Sequence, residues 1–90
     1  MDELVAQFEK NATEVVRISL TEFRGRQLVD VRVYYTDDEG AYRPTRKGIS
    51  LAVDGYLDFR KAVARLDKVL LDRKLVTADD IEDALVLEND

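Results

Sequence analysis

The stretch Gln27-Leu28-Val29-Asp30-Val31-Arg32-Val33-Tyr34-Tyr35 decides how this chain folds. Val29, Val31, Val33 and Tyr35 share one parity, and Leu28, Asp30, Arg32 and Tyr34 the other. Alternation of this kind, rich in β-branched residues, marks a strand with one face in a core and one in solvent. Upstream, Val16, Ile18 and Leu20 alternate with Arg17, Ser19 and Thr21, which predicts a second strand. Between the two lies Phe23-Arg24-Gly25-Arg26, whose glycine suits a turn or a bulge. Downstream, Asp37-Asp38-Glu39-Gly40 has hairpin chemistry, so Ala41 to Arg46 should return as a third strand. Pro44 cannot donate to a ladder, which puts that strand at an edge or interrupts it. Lys47-Gly48-Ile49-Ser50-Leu51 reads as a short last strand. Leu4, Ala6 and Phe8 alternate too, favouring an extra N-terminal strand over a helix between Leu4 and Glu9.

Beyond Leu51 the period changes. Tyr56, Phe59, Val63, Leu66 and Leu70 recur at helical spacing, with Asp58, Lys61, Arg65, Lys68 and Asp72 on the opposite face. This predicts a helix over residues 54–73. Its apolar stripe is suited to core packing and to a helix–helix interface. Thr77 and Asp80 have the spacing of a capping pair, placing Asp79, Asp80, Glu82 and Asp83 near the start of a short second helix. The expected class is α+β: a curved four-stranded antiparallel sheet, a C-terminal helix and a short extra helix. One domain spans 1–90, with a core module over about 13–73 and an acidic C-terminal extension over 74–90.

Composition narrows the chemistry. There is no cysteine and no histidine, which removes thiol catalysis, serine–histidine pairs and the usual zinc sites. Neither a phosphate-binding loop nor a dinucleotide fingerprint is present. Asp37-Asp38-Glu39-Gly40 lacks the alternating ligands of a calcium loop. The cluster Asp79-Asp80-Glu82-Asp83 could hold magnesium for a nuclease, but a capped helix start accounts for it with less. The expectation is a binding protein and not an enzyme, with no metal and no cofactor. No apolar run approaches the roughly 18 residues that span a bilayer. Met1-Asp2-Glu3 is acidic where a signal peptide is basic. A soluble protein follows, without a membrane partner: cytoplasmic and nucleoid-associated in a prokaryote, nuclear in a eukaryote.

The net charge of −5 hides a division. Residues 1–16 carry −3 and residues 54–90 carry −4. Residues 17–47 hold seven cations (Arg17, Arg24, Arg26, Arg32, Arg43, Arg46 and Lys47) against five acids, a balance of +2. Six of the seven are arginine, whose planar fork suits phosphates and whose face stacks on rings. A lone arginine on a strand is by default a solvated or paired surface residue, and Phe23 and Tyr35 are by default core or rim aromatics. Asp30, among the arginines, should form a structural salt bridge to Arg32 or Arg26.

These elements in one register carry a resemblance. From Phe23 to Leu51 the chain shows an aromatic-basic-Gly-basic turn and an Asp30-Val31-Arg32 strand ending in Tyr34-Tyr35. An Asp-x-Glu-Gly hairpin follows, then Arg43-Pro44-Thr45-Arg46-Lys47-Gly48-Ile49-Ser50-Leu51. This pattern closely resembles the positive cofactor four family of transcriptional coactivators, and with flanks the likeness covers about residues 13–70. The resemblance implies a homodimer joined partly through its helices, and a channel that binds single-stranded DNA, or RNA or melted duplex, with little sequence preference. It implies Phe23 and Tyr35 as stacking platforms, and Arg24, Arg26, Arg32, Arg43, Arg46 and Lys47 as backbone contacts. Tyr35 stands where the family often has tryptophan, and Ala52-Val53 replaces its polar helix start. A transcription-machinery protein is a further implied partner. The alternative function is a protein-interaction module of the same fold, recruiting its partner through the acidic helix and tail. In an unbroken strand, Arg24, Arg26 and Arg32 share one parity and Phe23 and Tyr35 the other. A bulge or twist near Gly25, or placement of both aromatics at strand ends, would be needed to unite them.

Overall fold

The computed structural model describes residues 2–85. Four strands, β1 (Glu3–Glu9), β2 (Glu14–Phe23), β3 (Arg26–Thr36) and β4 (Tyr42–Ala52), precede two helices, α1 (Val53–Asp72) and α2 (Ala78–Leu85). The strands form one antiparallel sheet in chain order. The expected α+β class is the observed one, and the extra strand near the N-terminus is present. The chain divides into two compact units, one ending at Tyr56 and one beginning at Leu57.

Each turn of the sheet is closed by its own sequence. At β1–β2 the Asn11 side chain accepts hydrogen bonds from the Thr13 and Glu14 amides at 3.0 and 2.9 Å, an Asx-type turn. Glu14 returns the favour by accepting from the Asn11 amide at 2.7 Å and from Lys10 at 3.0 Å. Those bonds, Asn11 first, hold the Glu14 carboxyl below its ordinary value. The β2–β3 link is the two residues Arg24 and Gly25, at φ 52° and 78°. Two left-handed residues in succession are what a type I′ hairpin needs. At β3–β4, Asp37 is the hub. Its Oδ1 accepts from the Glu39 and Ala41 amides, both at 2.9 Å, and its Oδ2 from Arg43 Nε at 2.8 Å.

The sequence led us to expect two strands across residues 41–51, and the structure corrects this to one. β4 is continuous, and its register against β3 shifts between Arg32 and Tyr34, so that Thr45, Arg46 and Lys47 bulge opposite Val33. The interruption foreseen at Pro44 is this bulge, and β4 is also an edge strand. Two bonds bridge the gap: Thr45 Oγ1 donates to the Val33 carbonyl at 2.7 Å, and Arg32 Nη1 donates to the Thr45 carbonyl at 3.1 Å. Gly48 ends the bulge. A Cβ there would stand 2.4 Å from the Val31 carbonyl oxygen and 2.8 Å from Arg32 Cα, so the two backbones approach as only glycine allows.

Cross-strand pairing sorts the side chains onto two faces. One face carries Val16, Ile18, Leu20, Val29, Val31, Val33, Ile49 and Leu51. The other carries Arg17, Ser19, Thr21, Phe23, Arg26, Asp30, Arg32 and Tyr34. Val15, on the polar face and 4% exposed, is the one buried apolar residue among those described.

α1, whose first four residues belong to the first unit and the rest to the second, has no buried residue. It closes with a Schellman motif in which the amides of Lys74 and Leu75 bond the carbonyls of Leu71 and Leu70 at 3.0 and 2.9 Å. Lys74 takes the left-handed position at φ 58°. The expected Thr77–Asp80 cap is a reciprocal capping box. Thr77 N donates to Asp80 Oδ2 at 2.9 Å, and Asp80 N donates to Thr77 Oγ1 at 3.1 Å. Among the described residues, no helix is long and apolar enough to cross a membrane. The last five residues of the expected acidic extension, 86–90, lie outside the described residues.

Candidate nucleic-acid interface

The two-residue turn at Arg24–Gly25 resets the parity of the strands on either side of it. Phe23 and Arg26 are therefore direct cross-strand partners on the polar face, with Arg32 farther along the same face of β3. Arg24 projects from the turn and sets its guanidinium carbon 5.1 Å from the Phe23 ring centroid. The end of the β2–β3 hairpin is thus an aromatic ring, 60% exposed, with arginines at its side.

Tyr35 lies elsewhere. It pairs with Glu14 on one side and Arg43 on the other, which puts it on the apolar face and near the far end of the hairpin. Nine residues of strand separate Arg26 from Tyr35, about 30 Å. One chain therefore does not bring Phe23 and Tyr35 together. Tyr35 is 45% exposed, and its neighbour Arg43 is held by Asp37. The Arg43 guanidinium, ahead of the backbone amides, lowers the Asp37 carboxyl below its usual range.

Arg32 is occupied. Its Nε and Nη2 donate to the two oxygens of Asp30 at 3.0 and 2.9 Å, and its Nη1 donates to the Thr45 carbonyl. The Asp30 bonds, together with its charge, push the guanidinium further up. The structural salt bridge foreseen for Asp30 is present, and it removes Arg32 from the set of open cations. Arg46 and Lys47 stand exposed on the bulge that Arg32 helps to fix. Lys47 also lines, with Lys10 and Arg32, a depression of about 370 Å³ walled by Val16, Val31, Val33 and Ile49. The ion pairs formed among the described residues include neither Arg24, Arg26, Arg46 nor Lys47.

A further cluster escaped the sequence reading. The Arg17 guanidinium carbon lies over the rings of Tyr34 and Tyr42, 4.8 and 4.9 Å from their centroids. Its Nε donates to Gln7 Oε1 at 2.8 Å. Arg17 was visible as one of seven central cations and as a polar position of β2. Nothing local in the sequence ties it to Tyr42, 25 positions away.

Comparison with known proteins bears on this arrangement. The model of the family described as Transcriptional Coactivator p15 (PC4) matches residues 10–62, more than half of the chain. The chain belongs to this family. Among curated relatives, the RNA polymerase II transcriptional coactivator KELP of Arabidopsis thaliana is 37% identical over 54 residues, covering 60% of this chain and 32% of that protein. The coactivator KIWI of the same plant is 34% identical over 71 residues, covering 79% and 62%. The chain thus spans about a third of the length of KELP and under two thirds of KIWI. A crystal structure of a PC4 homologue from Burkholderia pseudomallei K96243 superposes with a TM-score of 0.68 at 34% identity, covering 72% of this chain and 88% of that one. A bacteriophage T5 homologue of PC4, implicated in recombination-dependent DNA replication, shares the fold at 19% identity, with a TM-score of 0.66 over 96% of this chain and 98% of that one. The PC4 match takes in β2, β3, β4 and the first half of α1, and so every residue named for this interface except Gln7.

Proposed function

We propose that this chain binds single-stranded DNA without sequence preference, as a homodimer, in a coactivator-like role in transcription, replication or repair. The observation that carries this reading is the pairing of exposed rings with cations that form no ion pair among the described residues. Phe23 is flanked by Arg24 and Arg26, and Tyr35 stands at the other end of the hairpin, while Arg46 and Lys47 occupy the β4 bulge. Single-strand binding needs a cationic track for phosphates and open aromatic faces for bases, and neither requires a base-reading code. RNA and melted duplex present the same two features and fall within the same ligand class.

Two of the eight proposed contact residues act differently from the rest. Arg32 builds the bulge and reaches the ligand only at the edge of its Asp30 fork. Arg43 shares its charge with Asp37, so its contribution is smaller than that of Arg46. Dimerisation joins surfaces that one copy leaves open. Leu57, Phe59, Val63, Leu66 and Val69 of α1 are each at least two-fifths exposed. A dimer also supplies two hairpins, so Phe23 of one copy and Tyr35 of the other can serve one strand. The protein works by binding, beside the chromosome: nucleoid in a prokaryote, nucleus in a eukaryote. A protein of the transcription machinery is its second partner.

The test compares Phe23→Ala and Tyr35→Ala with the wild type on a labelled single strand and on the matching duplex. Each variant should weaken single-strand binding by about 5- to 100-fold, the range for one stacked base, and weaken duplex binding less. Equal losses on both ligands would show that stacking is not what selects the single strand.

A further inference from the structure

We propose that Arg17, Tyr34 and Tyr42 form an additional nucleotide-binding station, in which an unpaired base stacks on Tyr42 and its phosphate pairs with Arg17. This rests on the reading of the sheet as a single-strand binding surface and extends it to residues outside the eight named above.

Four strands each supply one side chain to this station: Gln7 from β1, Arg17 from β2, Tyr34 from β3 and Tyr42 from β4. Convergence from every strand fixes the guanidinium in place. The tyrosine faces attract it through their negative quadrupole, and Gln7 takes one of its donors. Among the described residues, no carboxylate pairs with Arg17. The molecule's other two anchored arginines on β3 and β4 are neutralised, Arg32 by Asp30 and Arg43 by Asp37. Arg17 has a neutral amide in that position, and the ion pairs among the described residues do not include it. A cation held rigidly without a counter-charge is arranged for an anion that arrives from outside.

Exposure and position identify the visitor. Tyr42 is 40% exposed and sits on the edge strand, so its ring can be reached. A purely structural cation–π layer would close that ring off. The station also shares the polar face with Phe23, Arg26 and Arg32. Six residues of β2 separate Arg17 from Phe23, about 20 Å. At the roughly 3.4 Å rise of a stacked strand, about six nucleotides connect them. The two stations are thus spaced for one continuous single strand lying along the polar face.

The experiment uses the full chain with a labelled oligothymidine of about 20 bases, beside a second oligonucleotide carrying bromodeoxyuridine for photo-crosslinking. Tyr42→Ala should weaken single-strand binding by about 5- to 100-fold, whereas Tyr42→Phe, which keeps the ring, should stay within about twofold of wild type. Arg17→Gln should flatten the salt dependence by about 0.7 in log–log slope, one phosphate's worth. Irradiation should attach the bromodeoxyuridine strand to the peptide containing Tyr42, a readout independent of variant folding. If the wild type binds and Arg46→Ala weakens it, but Tyr42→Ala binds normally and no crosslink reaches Tyr42, the station is disproved while the binding surface stands. If the wild type does not bind at all, both are wrong.

Discussion

Asp30 and Arg32 lie two residues apart on β3 and are locked together by two parallel hydrogen bonds of 3.0 and 2.9 Å. Their side chains remain only 16% and 23% exposed, so this pair is far less screened than an ordinary surface bridge. Arg32 spends its third contact on the Thr45 carbonyl, across the register shift of β4. The relationship makes Arg32 the organiser of the bulge that presents Arg46 and Lys47. Asp30→Ala should therefore lower unfolding stability by about 1.5–3 kcal/mol, the range for hydrogen bonds to a charged group. Urea denaturation measures it. A loss below about 0.5 kcal/mol would mean that the fork is incidental.

Arg24 occupies a left-handed turn position that asparagine and glycine adopt more readily. Its presence there sets a local cost against an exposed charge beside Phe23. Arg24→Asn should raise stability by up to about 1 kcal/mol and at the same time weaken single-strand binding. Paired thermal and anisotropy measurements would reveal the trade. A variant that binds as well as wild type would remove Arg24 from the interface.

Asp37 links pH to the integrity of the β3–β4 hairpin. Its carboxyl is held below its ordinary 3.8 by Arg43 and by backbone amides, so the folded state favours the ionised form. The stabilisation is fully present above the unfolded value and is lost as pH falls through the lowered folded value. Above pH 5 the hairpin should be insensitive to this group, and below about 3.8 it should loosen. Amide chemical shifts of Glu39 and Ala41 followed against pH test this. Shifts titrating above the ordinary value would reverse the sign and contradict the account.

Leu66, 53% exposed on the α1 stripe, is a probe of the proposed dimer. Leu66→Glu would place a charge in the helix–helix contact that the proposed dimer requires. Sedimentation equilibrium at micromolar concentration should report a dimer for wild type and a monomer for the variant. An unchanged dimer would move the interface off α1.

Most strands, the helices and most turns were legible because they rest on local rules. Parity marked β2 and β3, the Thr77–Asp80 spacing marked the capping box, and Asp37 to Gly40 marked a hairpin. What escaped was everything that depends on register. Counting parity through Gly25 set Phe23 apart from the arginines. A two-residue turn instead restarts the pairing and makes Arg26 its partner. Pro44 and the polar run after it hid the continuity of β4, which is kept by a hydroxyl on Thr45 and a guanidinium from another strand. The meeting of Arg17 with Tyr34 and Tyr42 follows from that same shifted register and has no sequence-local sign. The candidate cations were all found in the sequence, but which are open and which are paired is a property of the fold.

The central claim is that a basic, aromatic sheet surface on an acidic protein selects unpaired nucleic acid. Fluorescence anisotropy with a labelled strand of about 20 bases, alone and annealed to its complement, at about 50 and 200 mM salt, tests it most directly. Arg24, Arg26, Arg46 and Lys47, which form no ion pair among the described residues, together with Arg17 predict a log–log slope near −3.5, which is about a 130-fold loss of single-strand affinity over that interval. The single strand should bind tighter than the duplex at both concentrations. Affinity that is indifferent to salt, or a duplex bound as tightly as the single strand, would contradict the account.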